Sequence, residues 1–325
     1  MSDNLLEIEN LNVEYITDDA IVYALNDFNL SVKQGEKIGL VGETGAGKTT
    51  LALSILRLLP KKIGKISSGT IKYQSEELLD KPESYMLGLR GRRISMIFQD
   101  PMTSLNPVKT VGDQVLEVLN LHFPELSKQE KDEKVDEIFR LVGIPSERKG
   151  EYPHQFSGGM KQRIVIAMAL IAEPELLLAD EPTTALDVTI QAQILELMKD
   201  LKAKYNTAVV LITHDLGVVA EFCDTVAVVY GGRVVEFGTV EDIFGQKRNH
   251  PYTKGLINCI PNLSSSATRL SPIPGRMADP RIKHTGCCFV DRCPNASERC
   301  KNEQPRMHYE GKHGILCHLF DKECN

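Results

Sequence analysis

The segment that most constrains this chain is Gly42-Glu-Thr-Gly-Ala-Gly-Lys-Thr49, which fits the pattern GxxxxGK(S/T). It follows an apolar run, Lys37–Val41, and precedes a run with helical spacing, Lys48–Leu58. Glycines let backbone N–H groups turn inward around phosphate oxygens, and the N-terminus of a helix adds its positive dipole. The strand and helix patterns on either side disfavour a chance match. The segment therefore predicts a phosphate-binding loop between a β-strand and an α-helix.

The chemistry of nucleotide phosphates gives two residues of this loop specific roles. Lys48 is predicted to reach the β- and γ-phosphates, and Thr49 to place its hydroxyl on Mg²⁺. The residues that we expect to contact the nucleotide here are Gly42, Glu43, Thr44, Gly45, Ala46, Gly47, Lys48, Thr49 and Thr50.

A second acidic element is needed to hold the metal, and Leu176-Leu-Leu-Ala-Asp180-Glu181 supplies it. Asp180 is predicted to bind Mg²⁺, directly or through water, and Glu181 to polarise the attacking water. A strand that ends in two acids before a proline turn is common and indicates little alone. Together with the glycine loop it completes the parts that phosphoryl transfer requires.

Over the first 240 residues, β-rich runs alternate with helical patterns, which favours an α/β sheet with parallel strands. The β-rich runs are Lys37–Val41, Ile94–Phe98, Leu176–Ala179, Ala208–Thr213 and Thr225–Tyr230. Helical patterns include Lys48–Leu58 and Ile190–Lys204. Between Asp100 and Met160 the β signal fades, and Gly112–Leu121 and Lys128–Val142 have helical spacing. After Phe244, proline, serine and glycine become dense, which indicates a linker or a loop-rich extension.

Four more segments follow in a fixed order along the chain. They are Gln99 after the run Ile94–Phe98, Phe156-Ser157-Gly158-Gly159-Met160 before a helical run, Ala185-Leu186-Asp187, and His214 after Thr213. In this order they resemble the Q-loop, the signature loop (usually LSGGQ), the D-loop and the switch histidine of the ATP-binding cassette (ABC) family. The resemblance covers about residues 5–245.

The resemblance implies roles for the matching residues. Glu181, His214 and Gln99 would be catalytic: Gln99 would touch Mg²⁺ and the attacking water, and His214 would contact the γ-phosphate and orient Glu181. Tyr15 looks like the aromatic that stacks on adenine, with Tyr23 as the less favoured candidate. ATP and Mg²⁺ are the implied ligands; Thr49, Gln99 and Asp180 would hold the metal, and Asp187 would lie at the nucleotide.

The signature segment has two interpretations. Ser157 and two glycines lead into a helical run, so Ser157 could be a simple N-cap, worth about 1 kcal/mol. A helix N-terminus also suits anions. The resemblance implies that two cassettes meet head to tail, so that Ser157, Gly158 and Gly159 contact the partner's γ-phosphate. The partner would be a second copy or a sister chain. Met160 stands where glutamine is common, which removes a side-chain hydrogen bond.

The implied fold is a P-loop NTPase of the ABC type: a RecA-like α/β core with antiparallel β and α-helical subdomains. We expect the nucleotide-binding domain at residues 1–245, with its helical subdomain at about 100–165. A small loop-rich extension would occupy residues 246–325.

Three stretches look like the dipeptide and oligopeptide importer branch of the family. They are Phe98–Pro107, Phe156–Arg163 and His250–Leu256. The branch implies two transmembrane permease subunits as partners and, indirectly, an extracytoplasmic substrate-binding protein. It also includes nickel and glutathione importers, so the cargo stays open. An alternative of another class is a soluble cassette outside transport; a third is an iron–sulfur oxidoreductase or sensor that binds nucleotide.

Composition limits the partners. The net charge of −6 disfavours general nucleic-acid binding, which needs clustered lysine and arginine. No apolar run approaches the roughly 20 residues that cross a bilayer. The N-terminus has no apolar stretch typical of a secretory signal. We therefore expect a chain that docks on membrane subunits from the cytoplasmic face.

Six of the eight cysteines lie in the last forty residues. In a cytoplasmic chain such crowding favours metal binding over disulfides. Cys287, Cys293, Cys300 and Cys317 are the predicted ligand set, and four thiolates suit a [4Fe–4S] cluster or zinc. The loose spacing and Pro294 favour iron–sulfur, as does a similar tail in the peptide-importer branch; binding no metal is the remaining alternative.

The choice between two adjacent cysteines stays open, because Cys288 could replace Cys287. Cys324 lies close to the end of the sequence and is expected to be free. We expect a structural role for the metal rather than electron transfer, since metal can replace a hydrophobic core in a short segment.

Overall fold

The structure is a computed structural model that describes residues 4–184, 186–245, 248–259 and 272–321. Its strands are β1 (Asn4–Ile16), β2 (Ile21–Lys33), β3 (Lys37–Val41), β4 (Gly64–Tyr73), β5 (Glu76–Glu77), β6 (Ile94–Ile97), β7 (Leu176–Asp180), β8 (Ala208–Thr213), β9 (Thr225–Tyr230), β10 (Arg233–Thr239), β11 (Met307–Glu310) and β12 (His313–Leu316). Its α-helices are α1 (Lys48–Ile55), α2 (Glu83–Leu89), α3 (Pro101–Ser104), α4 (Val111–His122), α5 (Lys128–Leu141), α6 (Gly158–Leu170), α7 (Val188–Tyr205), α8 (Leu216–Phe222), α9 (Val240–Phe244), α10 (Pro251–Asn258) and α11 (Glu298–Asn302).

The chain divides into two compact units. Unit one consists of the described residues of Met1–Val32, Lys37–Leu79 and Ile212–Asn325, and unit two of Lys33–Glu36 and Asp80–Leu211. No described helix has both the length and the apolar character that crossing a membrane requires.

Unit one contains an antiparallel sheet with the strand order β2-β1-β4-β5. It also contains five strands that neighbour one another in the order β11-β12-β10-β9-β3. Within this set β3 and β9 are parallel, with Ile38 opposite Thr225, while β9–β10 and β10–β12 are antiparallel. Four of the five residues of β3 are buried, as expected for a central strand covered on both faces.

Unit two contains β6 and β7, which are parallel with Ile94 opposite Leu176, and most of its other residues are helical. Local sequence explains where its helices begin. The Thr110 side chain accepts a hydrogen bond from the Asp113 N–H at the start of α4. Ser127 and Glu130 form a reciprocal capping box at the start of α5. The helices predicted at Gly112–Leu121 and Lys128–Val142 are therefore confirmed.

The predicted strands are also present, with small differences at their ends. The strand predicted to reach Phe98 ends at Ile97, and the helix predicted to reach Leu58 ends at Ile55. The residue patterns did not single out β1, β2 and β4, nor the short strands β11 and β12 of the predicted loop-rich extension. The domain boundary near residue 245 stays a prediction.

A buried polar cluster connects β12 to the rest of unit one. The carboxylate of Glu236 on β10 is fully buried and lies 2.7 Å from His313 Nε2 on β12. It also accepts hydrogen bonds from Asn249 Nδ2 at 2.7 Å and the His250 N–H at 2.8 Å. Burial lowers the pKa of His250 to about 3, so its neutral ring accepts a hydrogen bond from the Tyr252 N–H. Glu236 thus has three partners from two segments of the chain, β12 and residues 249–250.

Replacing Glu236 by alanine should lower the free energy of unfolding by about 3 to 5 kcal/mol, because His313 and Asn249 lose a buried charged partner. The measurement is urea unfolding of the full chain.

The matched control is Glu310→Ala, which removes an exposed glutamate that pairs with Arg248 at the surface. Its cost should stay below about 1 kcal/mol, as for other surface ion pairs. Equal losses in the two variants would show that the Glu236 cluster does not stabilise the fold.

Candidate nucleotide-binding site

The glycine loop lies directly after β3 and leads into α1, as predicted. Gly47 caps α1 with a φ of +100°, and a Cβ there would lie 2.4 Å from the Ala24 carbonyl oxygen. A Cβ at Gly42 would lie 2.2 Å from the Val229 carbonyl oxygen. No side chain fits at either contact, so these two glycines allow the loop to approach β2 and β9 closely.

The ammonium group of Lys48 lies along the inside of this loop. It donates hydrogen bonds to the carbonyl oxygens of Gly42 at 2.7 Å and Glu43 at 3.0 Å, and the residue is only 7% exposed. Thr44, Gly45 and Thr49 are exposed, whereas Ala46 is buried. A positive charge held beside an exposed glycine loop is the arrangement that binds nucleotide phosphates.

The two candidate aromatic residues have different surroundings. The Tyr15 hydroxyl on β1 lies 3.1 Å from Thr50 Oγ1, at the start of α1. Tyr23 on β2 donates its backbone N–H to the Pro280 carbonyl oxygen at 2.7 Å, and the Lys283 ammonium lies 5.8 Å from its ring centroid. The contact with α1 favours Tyr15, whose stacking on adenine stays a prediction.

His214, the last predicted site residue in unit one, is exposed and directly follows β8. The helix α8 begins after it, and the Asp215 carboxylate caps that helix by accepting hydrogen bonds from the N–H groups of Gly217 and Val218. The cap fixes the turn that carries His214.

In unit two, the predicted acids lie at the end of β7. Asp180 is the last residue of the strand and is 2% exposed. Glu181 has a φ of +48°, a left-handed conformation that costs a non-glycine residue about 1 to 2 kcal/mol. Its Oε2 accepts a hydrogen bond from the Thr184 hydroxyl at 2.5 Å. Strained residues cluster at active sites, and Thr184 is a residue that the sequence patterns did not reveal.

The signature segment opens α6, and the expected N-cap is present. Ser157 Oγ accepts a hydrogen bond from the Met160 N–H at 3.4 Å, while Ser157 and Gly158 are exposed and Gly159 is half-buried. The Met160 sulfur accepts a hydrogen bond from Arg148 at 3.7 Å. The N-cap and the anion-binding interpretations are compatible, since the first N–H groups of α6 remain at the surface.

Gln99 and Asp187 are also in unit two. Gln99 is exposed just after β6. The Asp187 carboxylate caps α7 by accepting a hydrogen bond from the Ile190 N–H at 2.9 Å. Ala185 of the predicted D-loop lies outside the described residues. The catalytic and binding roles predicted for all these side chains stay predictions.

Three of the four predicted cysteine ligands, Cys287, Cys293 and Cys317, have raised pKa values to which other members of the set contribute. Burial raises the pKa of Cys317 to about 12, and the thiols of Cys287, Cys293 and Cys300 add to this rise. Burial also raises the pKa of Cys287 to about 11, with further contributions from Cys300 and Cys293. In addition, the Cys287 N–H donates a hydrogen bond to the Cys300 carbonyl oxygen at 2.7 Å.

Cys288 has different surroundings. It is buried, and its thiol donates to the Tyr230 carbonyl oxygen on β9 at 3.6 Å. The Cys288 thiol is not among the groups that raise the pKa of Cys317. The structure therefore favours Cys287 over Cys288 as the member of the set. Cys324 lies outside the described residues.

The arrangement of the described side chains does not support the metal site predicted at the cysteines, which stays a prediction. Across the residues that the structure describes, no group of three or more His, Cys, Asp or Glu side chains is arranged to hold a metal ion. Tetrahedral zinc with bonds of about 2.3 Å requires sulfur atoms about 3.8 Å apart. The described cysteines are therefore not arranged as a site for a single ion.

Two residues far along the chain contact the glycine loop and were missed by sequence reasoning. Tyr252 accepts a hydrogen bond from the Glu43 N–H at 3.0 Å, and Arg292 forms an ion pair with the Glu43 carboxylate. No local pattern in the sequence indicates either contact.

The strand β3, the glycine loop and α1 together define a P-loop nucleotide-binding protein. Comparison with known families adds two matches. Residues 25–184 match the ABC transporter family, and residues 235–300 match the C-terminal region of oligopeptide/dipeptide transporters.

Individual proteins are similar over nearly the whole chain. The dipeptide transport ATP-binding protein DppD of Bacillus subtilis is 47% identical over 98% of this chain and 96% of its own length. The oligopeptide transport ATP-binding protein OppD of Salmonella typhimurium is 48% identical over 93% of this chain and 89% of its own length.

A solved structure is similar as well. It is a dimeric ATP-binding cassette in a post-hydrolysis state, bound to ADP and Pi. It has 28% identity and a TM-score of 0.65, and the match covers 72% of this chain and 98% of that one.

This chain belongs to the ABC transporter family, in the branch of peptide-transport ATP-binding proteins. The family, the fold class and the ATPase class predicted from the motifs are confirmed.

Proposed function

We propose that this chain is the ATP-hydrolysing subunit of an importer of dipeptides or oligopeptides. The observation that carries the proposal is the similarity to DppD and OppD, at 47% and 48% identity over more than nine-tenths of this chain. The match of residues 235–300 to the C-terminal region of oligopeptide/dipeptide transporters supports the same cargo class.

Within this function, the glycine loop and Lys48 bind the β- and γ-phosphates of ATP. Thr49, Asp180 and Gln99 are the residues that would hold Mg²⁺, which when bound neutralises charge on the transferring phosphoryl group. Thr49 is exposed and Asp180 ends a buried strand, so hydroxyl and carboxylate oxygens are both present in the donor set.

Hydrolysis needs a group that orients water against the γ-phosphate. Glu181 accepts a hydrogen bond from that water, while the Thr184 hydroxyl donates a hydrogen bond to the Oε2 atom of the same carboxylate. His214 contacts the γ-phosphate, and its place at the end of β8 suits an exposed contact. Tyr15 stacks on adenine, and Asp187 lies at the nucleotide.

The signature loop acts on a second cassette. Ser157, Gly158 and Gly159 offer the exposed N-terminus of a 13-residue helix to the γ-phosphate bound by the partner. The dimeric form of the related cassette bound to ADP and Pi supports a pair of cassettes, and we propose that the two meet head to tail. Two permease subunits and an extracytoplasmic binding protein complete the transporter, with this chain at the cytoplasmic face of the membrane.

The proposal predicts which proteins copurify with an affinity-tagged form of this chain from native membranes. Two permease subunits and a second ATPase should copurify, and the binding protein loaded with peptide should stimulate ATP hydrolysis in the reconstituted complex. Stimulation by nickel or glutathione instead of peptide would assign the cargo to another importer of the branch. Purification without any membrane subunit would favour a cassette outside transport.

In the same complex, Glu181→Gln should keep the affinity for Mg-ATP within about threefold but lower the hydrolysis rate at least about 100-fold, because it removes the base that orients water. The matched control is Glu175→Gln. Glu175 lies just before the other end of β7 and pairs with Arg93, so this variant should hydrolyse ATP at nearly the normal rate. Hydrolysis at the normal rate by Glu181→Gln would remove Glu181 from the mechanism.

We also propose that Cys287, Cys293, Cys300 and Cys317 hold a [4Fe–4S] cluster with a structural role. The proposal rests on the number and type of these side chains, since four thiolates are the usual ligand set of such a cluster, and on the contributions of Cys287, Cys293 and Cys300 to the raised pKa of Cys317. The segment between them has short elements, a five-residue helix and two four-residue strands, so a cluster would add cross-links that the small core lacks.

Anaerobically purified protein should contain about four iron atoms and as many labile sulfides per chain. Cys287→Ser should lose most of this iron, whereas Cys288→Ser is the matched control and should retain it, since that thiol faces Tyr230. Zinc in place of iron, or equal loss of iron from both variants, would contradict the assignment.

A further inference from the structure

The C-terminal segment is joined to the phosphate loop by an ion pair between Glu43 and Arg292. Arg292 Nη1 donates to Glu43 Oε2 at 2.6 Å, and Nη2 donates to Oε1 at 3.0 Å. The Arg292 side chain is only 5% exposed. A two-pronged pair between guanidinium and carboxylate fixes both position and orientation, and this one is partly buried, with the Glu43 side chain 32% exposed. The second residue of the loop is thus held by a residue 249 positions away.

Arg292 is itself held in one orientation by its own segment. Its Nε donates to the Pro274 carbonyl oxygen at 3.0 Å, and Nη2 lies 3.4 Å from the Ile273 carbonyl oxygen. The guanidinium also lies 5.7 Å from the ring centroid of Tyr230 and 5.9 Å from that of Phe289. Movement of the C-terminal segment would therefore move the charge that Glu43 contacts.

The backbone of Glu43 is held from the same side. Its N–H donates to the hydroxyl of Tyr252 on α10 at 3.0 Å. Tyr252 is fully buried, and its ring packs against Tyr230 at 4.7 Å and Phe289 at 5.4 Å between centroids. Because Lys48 holds the Glu43 carbonyl oxygen from inside the loop, the position of Glu43 depends on contacts from both directions.

The segment before Arg292 runs along the loop and the strand behind it. A Cβ at Gly45 would lie 3.1 Å from Met277 Cε, and the Ala278 N–H donates to the Tyr230 hydroxyl at 3.1 Å. Cys287 and Cys293 flank the short 3-10 helix, Val290–Arg292, that carries the arginine. The fold of the cysteine-rich segment therefore determines where Arg292 lies.

We propose that Arg292 is a positioning residue for the phosphate loop, through which the order of the cysteine-rich segment sets the affinity for Mg-ATP. The inference rests on the proposed function, in that the loop must bind ATP. Coupling between two sites is reciprocal. If order in the cysteine-rich segment increases the affinity for nucleotide by some factor, bound nucleotide must increase the equilibrium constant for ordering the segment by the same factor. A merely structural role of Arg292 would not produce this reciprocal effect.

The test uses the full chain and a non-hydrolysable ATP analogue with Mg²⁺. Calorimetric titration should show that Arg292→Gln binds about tenfold more weakly than the wild type, which corresponds to about 1.4 kcal/mol. Hydrogen exchange across residues 286–293 should slow on adding nucleotide to the wild type. In Arg292→Gln this nucleotide-dependent protection should be absent.

Four further variants separate the coupling from general damage. Arg299→Gln is the matched control, because Arg299 pairs with Glu303 and Asp321 in the same segment and has no contact with the loop; its affinity should stay within about twofold of the wild type. The single variant Glu43→Gln should weaken binding about tenfold, and so should the double variant Glu43→Gln/Arg292→Gln. The losses are equal because each of these variants removes the same Glu43–Arg292 interaction. Arg292→Lys should recover part of the affinity that Arg292→Gln loses. If Arg292→Gln does not fold, the affinity of Arg292→Lys for the nucleotide tests the coupling instead.

Additive losses in the double variant, or unchanged affinity in Arg292→Gln and Arg292→Lys, would overturn the coupling while leaving ATP binding intact. Equal losses in Arg292→Gln and Arg299→Gln would also overturn it. A wild-type chain that does not bind the nucleotide would instead reject the proposed function, and the coupling with it.

Discussion

Backbone N–H groups can surround a phosphate only where the chain turns tightly and approaches the strands beneath it. In this protein the approach is made at two glycines, where a Cβ would lie 2.2 Å from the Val229 carbonyl oxygen and 2.4 Å from that of Ala24. These contacts fix the loop against β9 and β2, and the loop in turn places Lys48 at the start of α1. The exposed edge of the loop, at Thr44, Gly45 and Thr49, is then available to a ligand.

Two distant parts of the sequence, around Tyr252 and Arg292, contact this loop at Glu43. Glu43 contacts Lys48 through its carbonyl oxygen, Tyr252 through its N–H and Arg292 through its carboxylate. The region that matches the C-terminal region of oligopeptide/dipeptide transporters therefore contains side chains in direct contact with the nucleotide-binding loop. This region therefore supports the loop through the partly buried ion pair between Arg292 and Glu43.

Much of the fold and of the nucleotide site can be predicted from residues that lie close together in the sequence. The strand, glycine loop and α1 follow from residues that are adjacent in sequence, and the capped helices α4 and α5 carry their start signals at Thr110 and Ser127. The strand β1 was not predicted, because register irregularities between Glu9 and Val13 break the alternation that marks a half-buried strand. The left-handed backbone at Glu181 and its Thr184 hydrogen bond leave no trace in composition or periodicity. The Glu43–Arg292 pair depends on tertiary folding, and so does the difference between Cys287 and Cys288.

The central claim is that the loop around Lys48 binds the phosphates of Mg-ATP, and equilibrium binding to the purified chain tests it most directly. The wild type should bind Mg-ATP, and Lys48→Ala should weaken binding at least about 100-fold, because the loop loses its only side-chain positive charge. Lys72→Ala, which removes a surface lysine paired with Glu9, should bind as the wild type does. Failure of the wild type to bind Mg-ATP, or equal binding by wild type and Lys48→Ala, would contradict the account.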